Sequence, residues 1–482
     1  MPDLIRHRLP RKSRTGLSGA AKSCLGAASG LEAVLARDHV AIIGAGFSGT
    51  LLAINLLRHD GPRATLIERA PQAGRGVAYS TAHAEHLLNV RAGNMSALPD
   101  EPDHFTRWLA ARGPESGFAP RAVYGDYLAE LLGEAKARAG DRLTIVEGEA
   151  IDVVPDADGA SVMLADGRAI VADTVALAPG NLPPLVPPGL DIEALPPGCY
   201  VSDPWAGDLE AGLGADDVVL VLGTGLTMVD VALLLDARGF AGRIVALSRR
   251  GLTPRAHAAD VPWTKRSERP APAARAMLHD VRARAAVIGW RAAVDEMRPF
   301  TQGLWQAMPV SERQRFLRHV RPWWDVHRHR IAPHVAAQLQ RMQHDGRLEI
   351  VAGRIIGGGG EYGQAWLRYV PRGEAEERRM AARRIVNGTG PQGDLTRTAE
   401  PLLRALRDRG LIRPDPLRIG LDVDQESRAI DIADASSDRL LVLGPMTRGA
   451  FWEIVAVPDI RRQAWSIARR LANAQWVEGE GL

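Results

Sequence analysis

The sequence is poor in three things, and each shortage excludes a class of protein. Cysteine is the first: 482 residues hold two, Cys24 and Cys199, far apart and outside any C-x-x-C pattern. A disulfide scaffold and a redox dithiol both need paired thiols, so neither fits, and the scarcity points to a reducing, cytoplasmic setting. Charge of one sign is the second. The 60 basic residues face 57 acidic ones, for a net +3. Nucleic-acid binders gather their basic residues on a stripe or tail, so no nucleic-acid partner is expected. An uninterrupted apolar run is the third. The longest, from Val40 to Leu57, is broken by Gly44, Gly46, Ser48, Gly49 and Asn55, and it does not read as a membrane span.

What is there is a globular composition, 46% hydrophobic and 24% charged, in a chain long enough for roughly two to four domains. Residues 1–38 carry Arg6, Arg8, Arg11, Lys12, Arg14 and Lys22 with few acids. They read as a flexible basic segment, a frayed start rather than a transit or nucleic-acid arm.

From His39 the chain runs HVAIIGAGFSGTLLAINLL, an apolar strand pattern that meets glycines and continues at helical spacing. Gly44, Gly46 and Gly49 form G-x-G-x-x-G at the junction, with Phe47 and Ser48 inside it. The first glycine permits a tight turn, the second lets a pyrophosphate approach the backbone, and the third lets helix and strand pack closely. Phosphates then meet the free N–H groups of the helix start. The next strand, ATLIERA, ends at Glu68 and Arg69, and 68 − 44 = 24 residues separate the acid from the first glycine. A carboxylate at about that separation accepts hydrogen bonds from a ribose diol.

Asp217 opens a similar passage, DVVLVLGTGLTMVDVALLL, with Gly223 and Gly225 at the turn, Thr227 in the helix start and Met228 in place of the third glycine. The helix is therefore expected to stand slightly further from its strand. The following strand ends at Ser248, Arg249 and Arg250, where the first unit has its acid. Guanidinium groups favour a 2′-phosphate that a carboxylate repels, so NADPH is expected over NADH. The competing reading leaves Arg249 and Arg250 as solvated strand-end charges. Two such units make a flavin and a nicotinamide the natural pair, since hydride passes from one to the other.

The fold class expected is α/β with two Rossmann-like dinucleotide-binding domains, the first discontinuous and the second carrying a helical insert. Residues 142–180 alternate as strands with D-G turns, and the proline-rich 183–197 reads as a linker. Residues 272–345 are helical in pattern and dense in Trp, Arg and His. The loop Asn387-Gly388-Thr389-Gly390-Pro391 mirrors Ala178-Pro179-Gly180, and Gly444 follows a strand and precedes a helix. These features place the first domain at 39–200 with 383–482, and the second at 201–382 with its insert at 272–345.

The runs IIGAGFSG, GRGVAYST with HLLNVRAGNMSALP, RAVYGDYL, GTGLTMVD, SRRGLTPRAH, RPWWDVHRHRIAP, NGTGP and GPMTRGAFWE resemble the FAD/NAD(P)-binding proteins of the FAD-dependent urate hydroxylase and aspartate N-monooxygenase type. More distantly, they are similar to ornithine N-hydroxylases and Baeyer–Villiger enzymes. The resemblance implies that Gly44, Gly46, Phe47, Ser48, Gly49, Glu68 and Arg69 hold FAD. It sets Asn89 and Met95 near the flavin ring and Gly444 near the ribityl and pyrophosphate. Gly223, Gly225, Thr227, Arg249 and Arg250 would hold the nicotinamide nucleotide, with Gly390 on the facing loop.

The reaction implied is a monooxygenation by NADPH (or NADH), dioxygen and a flavin hydroperoxide on a small nitrogen-containing substrate, urate being the leading case. His327, Arg328 and His329 could bind an anionic substrate and move protons, together with Asn89 at the ring; the simpler reading is a cationic helix end or a domain contact. Metal binding is not expected, because His327 and His329 are badly spaced for one helical face. The alternatives are an NAD(P)H-dependent flavin oxidoreductase that inserts no oxygen, and a nucleotide-binding protein without turnover.

Overall fold

A computed structural model describes residues 38–81, 83–113, 117–205, 207–258 and 266–472; the basic segment expected to be flexible, Asp38 apart, lies outside them. Strand β1 (His39–Ile43) is buried along its whole length. Its Val40 and Ile42 face a core shared with helices Phe47–Arg58 and Val457–Leu471. Ala41 and Ile43 face a second core on the other side. A strand buried on both faces reads as a continuous apolar run, which is why VAII shows no alternation.

Around β1 the chain builds a parallel sheet. β2 (Arg63–Glu68) pairs with it, and β3 (Leu143–Glu147) pairs with β2. The strands β4 (Ala150–Pro155), β5 (Ala160–Leu164) and β6 (Ala169–Ala172) form a small antiparallel sheet of their own. Then β7 (Thr174–Leu177) takes the free side of β1.

A seven-stranded sheet follows, made of β8 (Tyr200–Val201), β9 (Val218–Leu222), β10 (Arg243–Ser248), β11 (Leu348–Glu361), β12 (Gln364–Pro371), β13 (Arg378–Ala382) and β14 (Arg384–Asn387). Its order is β13-β12-β11-β10-β9-β14-β8, parallel from β11 to β8. The chain then returns to the first sheet through β15 (Arg428–Ile430) and β16 (Ser436–Val442), which pairs in parallel with β7.

The structure differs from the expected boundaries in two places. β14 lies between β9 and β8, because Ile385 and Val386 are apolar on both faces and fill both cores of the second sheet, so that sheet extends past 382. The helical segment, in turn, is not one insert on the second sheet. Helix Pro333–His344 packs there through Val335, Leu339 and Met342, but Trp305, Phe316 and Trp324 form a separate core with Trp452 of the returning segment. Trp305 and Trp452 stack with centroids 4.6 Å apart, and the Trp305 indole donates to the Gly449 carbonyl at 2.8 Å. Side chains this large need a large apolar partner, and the segment after β16 supplies it.

Candidate functional site

After Ile43 the backbone must turn into a helix within three residues. Gly44 does this at φ +99°, where a Cβ would lie 2.4 Å from the Ala178 carbonyl oxygen, and its N–H closes the turn on the Ile67 carbonyl at 2.8 Å. At Gly49 a Cβ would come within 2.0 Å of the Gly44 carbonyl oxygen. Both glycines are therefore required by the turn itself. Gly46 is different. Its φ of −72° and ψ of −171° suit any residue, and a Cβ would clear the protein at 3.6 Å from the Gly76 Cα. The missing side chain at Gly46 leaves the helix start uncovered beside Gly76, whose own Cβ would fall 2.8 Å from the Gly46 Cα.

Helix Phe47–Arg58 starts there without a side-chain cap, so its first N–H groups are available to an anion. Phe47 and Ser48 contribute backbone only. The Phe47 ring packs against Tyr79 and Tyr124, and Ser48 is buried under Gly444, whose Cβ would meet the Ser48 Oγ at 2.4 Å. Gly444, at φ +83°, donates its N–H to Gln463 Oε1 at 2.8 Å. The Glu68 carboxylate accepts from the Ala45 N–H at 2.7 Å and the Ala70 N–H at 3.0 Å, which pins it beside the glycine turn with acceptor capacity left over.

The side chains of two further residues expected at the FAD site, Arg69 next to Glu68 and Met95 near the flavin ring, have other neighbours here. Arg69 pairs with Glu400 at 2.8 Å and is more than half exposed; it serves the outer surface. Met95 is 2% exposed and packed in the first core, because the short 3-10 turn Ala92–Asn94 directs it inward. Asn89 and Asn94 border the cleft in its place.

The second cradle repeats the first. Gly223, at φ +119°, would place a Cβ 2.2 Å from the Gly388 carbonyl oxygen, as Gly44 would against Ala178, and its N–H meets the Leu247 carbonyl at 2.8 Å. Gly225 opens helix Leu226–Ala237 with nothing within 4 Å of its absent Cβ. Thr227 stands on the first turn facing Gly388, while Met228 is buried in the core. Gly390, at φ +84°, likewise has open space around it. The Thr224 hydroxyl bonds the Ser248 hydroxyl at 2.9 Å, and Ser248 Oγ accepts from the Gly251 N–H at 3.0 Å. This fixes the loop that presents Arg249, exposed and without a side-chain partner among the described residues, and Arg250, which reaches only the Arg318 carbonyl at 3.4 Å.

A cleft of about 740 Å³ lies between Asn89–Asn94, the insert around Arg298 and Arg328, and the terminal helix at Asp459–Arg462. The histidine and arginine cluster expected to form one site divides here, because successive residues of a helix point in different directions. His327 bonds the Trp323 carbonyl at 2.7 Å and turns toward Trp290 and a separate pocket of about 630 Å³. Arg328 enters the cleft but is held by Glu453 at 3.1 Å, and Glu453 also accepts from the Trp324 indole at 2.7 Å. Burial alone would raise the Glu453 carboxyl, yet Arg328, His329 and the indole hold it below its ordinary value. Burial pushes the His329 imidazole down, against Asp325 and Glu453. Arg328 therefore acts largely as a contact between insert and returning segment.

Residues not anticipated from sequence have perturbed ionisation in this region or line the cleft. Asp459 is pushed up to about 6 by burial, with Arg298 at 3.7 Å opposing, and its Oδ2 has no hydrogen-bond partner. Arg448, four residues past Gly444, is brought down to about 10 by burial and by Arg321. Arg461 and Arg462 line the cleft from the terminal helix. The doubled arginines of DIRRQ were the available signal, although arginine pairs on an amphipathic helix are usually solvated.

Residues 41–182 match the model of a FAD-NAD(P)-binding family. No curated protein is similar in sequence. Among solved structures, the ornithine N-hydroxylase of Kutzneria sp. 744, with reduced FAD, NADP+ and L-ornithine, shares 14% identity at a TM-score of 0.60, with 91% of this chain and 99% of that one covered. L-lysine 6-monooxygenase from Pseudomonas syringae shares 17% at 0.59 over 91% and 99%. Lactococcus lactis thioredoxin reductase shares 13% at 0.52 over 91% and 100%. The match to a FAD-NAD(P)-binding family thus covers residues 41–182, and the chain has the mixed α/β fold with parallel sheets seen in these solved structures.

Proposed function

We propose that the chain is an FAD-dependent, NADPH-consuming monooxygenase that hydroxylates a small nitrogen-containing substrate bearing an anionic group. The observation that carries this is the pairing of two glycine cradles, each a turn closed on the next strand and followed by an uncapped or open helix start. The first cradle fits FAD on its own geometry. A Cβ at Gly46 would stand at the helix start, that start offers N–H groups, and Glu68 is held beside them as an acceptor. The second fits a dinucleotide whose 2′-phosphate Arg249 can reach, which favours NADPH over NADH.

When bound, the flavin accepts hydride from the nicotinamide and activates dioxygen. The chain supplies the rest. Arg298, Arg461 and Arg462 give the cleft cationic groups for an anionic substrate, and the Asp459 carboxyl, titrating near neutrality beside Arg298, can hold or release a proton at a substrate nitrogen. Trp305, Trp324 and Trp452 form the apolar core that holds the insert against the returning segment. Amino acids and amines of the kind named for the similar structures suit this cleft, and urate is a further anionic candidate.

A second reading, a flavin oxidoreductase without oxygen insertion, is favoured by the fold shared with thioredoxin reductase. Its dithiol chemistry has no counterpart in a chain of two separated cysteines. The test is a screen of amino acids, amines and purines for stimulated NADPH oxidation under labelled dioxygen. Heavy oxygen in the product supports the monooxygenase. Rapid acceptor reduction with unlabelled product supports the second reading, and protein without flavin absorbance overturns both.

A further inference from the structure

The two cradles lie in different sheets, so whatever fixes one sheet against the other decides whether the two cofactors can meet. Arg121, the first residue of helix Arg121–Ala139, reaches from the first domain to Asp230, three residues past Thr227 in the helix that starts at the second cradle. The contact is two-pronged: Nη1 to Oδ2 at 2.8 Å and Nη2 to Oδ1 at 3.2 Å, with side chains 19% and 7% exposed. His86, 1% exposed, bonds the Asp230 backbone carbonyl through Nε2 at 3.3 Å and the Thr81 hydroxyl through Nδ1 at 2.9 Å. The His86 carbonyl in turn accepts from the Arg121 N–H at 2.8 Å, and Arg121 Nε donates to the Leu87 carbonyl at 3.3 Å.

The surroundings make this a joint rather than a chance contact. Leu87 and Phe118, both in first-domain segments, pack against the core of the second sheet. Arg91 donates to the Ala258 carbonyl at 2.6 Å, and His257 bonds the Asn89 carbonyl at 3.0 Å. The segment His86–Arg91 therefore carries Asn89 at the cleft and is bolted to the helix whose N-terminus is the second cradle. A buried ion pair adds little stability over an apolar pair of the same volume, but a two-pronged arginine–carboxylate contact is strict about geometry. None of the three side chains lines the cleft or either cradle.

We infer that Arg121, Asp230 and His86 are positioning residues that set the separation of the nicotinamide and flavin cradles, so that hydride transfer, rather than the binding of either cofactor, depends on them. This rests on the proposed redox function. The test compares the full-length wild type with Asp230→Asn and with the double variant Arg121→Met, Asp230→Leu, which removes the charge and keeps the volume in case the single variant does not fold. Anaerobic single-turnover reduction by NADPH separates nucleotide affinity from the limiting rate of flavin reduction, and flavin content is measured alongside. Hydrogen exchange of the flavin-free protein gives a readout that needs no turnover.

The expected result is a limiting rate lowered about tenfold or more, since a displacement near 1 Å can cost up to about a hundredfold. Nucleotide affinity and flavin content should stay within about twofold. Exchange should quicken at His86–Arg91 and Phe118–Arg121 and stay unchanged in β1, β2 and β7. An unchanged limiting rate in the folded double variant overturns the inference, as does a rate loss accounted for by lost flavin, or exchange that does not change at the joint. A wild type whose flavin NADPH cannot reduce refutes the proposed function instead, and the exchange data still decide whether the joint exists.

Discussion

Gly46 separates what the fold needs from what the ligand needs, so its replacement by alanine tests the first cradle directly. At φ −72° and ψ −171° alanine fits without backbone strain, and its Cβ would rest at an ordinary contact distance of 3.6 Å from Gly76. Two small stability effects oppose each other. Reduced freedom of the unfolded chain stabilises by about 0.4–1 kcal/mol, and exchanging an N-cap glycine for alanine costs a few tenths or somewhat more, so the apoprotein's stability should change by less than about 1 kcal/mol. The cofactor meets a methyl group at the helix start. Losing one charge-assisted N–H bond to phosphate is worth about 1.5–3 kcal/mol, which is roughly a 10- to 150-fold weaker Kd for FAD. Flavin absorbance of the purified protein, an FAD titration and chemical denaturation of the apo forms measure both quantities. Gly49→Ala is the contrast: its Cβ would fall 2.0 Å from the Gly44 carbonyl, and the apoprotein itself should lose stability. If Gly46→Ala binds FAD as tightly as wild type, the diphosphate does not sit at this turn.

Arg249→Ala should raise the KM for NADPH by about tenfold or more while leaving NADH almost unaffected, because a 2′-phosphate loses a charge-assisted contact that NADH never makes; Arg250→Ala, already turned toward the Arg318 carbonyl, should have the smaller effect. Steady-state constants for both nucleotides check this, and equal losses with NADPH and NADH refute it. Asp459 gives a pH signature. Its folded value of about 6 lies above the ordinary 3.8, so the stability it contributes is fully present below about pH 4 and is lost as pH rises through 6. Between pH 5 and 7.5 the loss is about 1 kcal/mol. The advantage of Asp459→Asn over wild type in urea denaturation should therefore grow by that amount over this range, and a pH-independent difference excludes a raised carboxyl.

Local motifs were legible where the backbone, rather than the packing, imposes the residue. Gly44, Gly49 and Gly223 stand at turns whose geometry forbids a side chain, so glycine spacing located both strand–turn–helix units, and Glu68 falls at the end of β2 because strand and helix lengths set that distance. The facing residues were not readable. That Gly76 packs on Gly46, that Gly388 closes on Gly223, and that Arg121 meets Asp230 across 109 residues depend on how separate elements pack. Met95 and Arg69 show the same limit from the other side. Arg69 directly follows Glu68 yet turns outward to Glu400, and Met95 is turned inward by a 3-10 turn.

The division of the His327–Arg330 run has a consequence for how specificity arises in this fold. Arg330 is 4% exposed and bonded twice to Asp295, at 2.9 and 3.0 Å, and Arg328 is held by Glu453. Arg330 is thus committed to a partner within the insert and Arg328 to holding the insert against the returning segment, and Arg328 cannot turn to a substrate without leaving the buried Glu453 carboxylate unpaired, which costs several kcal/mol. The cationic groups left to meet a ligand come instead from the terminal helix, at Arg461 and Arg462, beside Arg298. On the proposed function, substrate selection would rest on the segment that follows β16, and cofactor binding on the turns after β1 and β9. The two can vary independently, and exchanging residues 448–462 between such enzymes should alter the substrate while leaving flavin and NADPH binding intact.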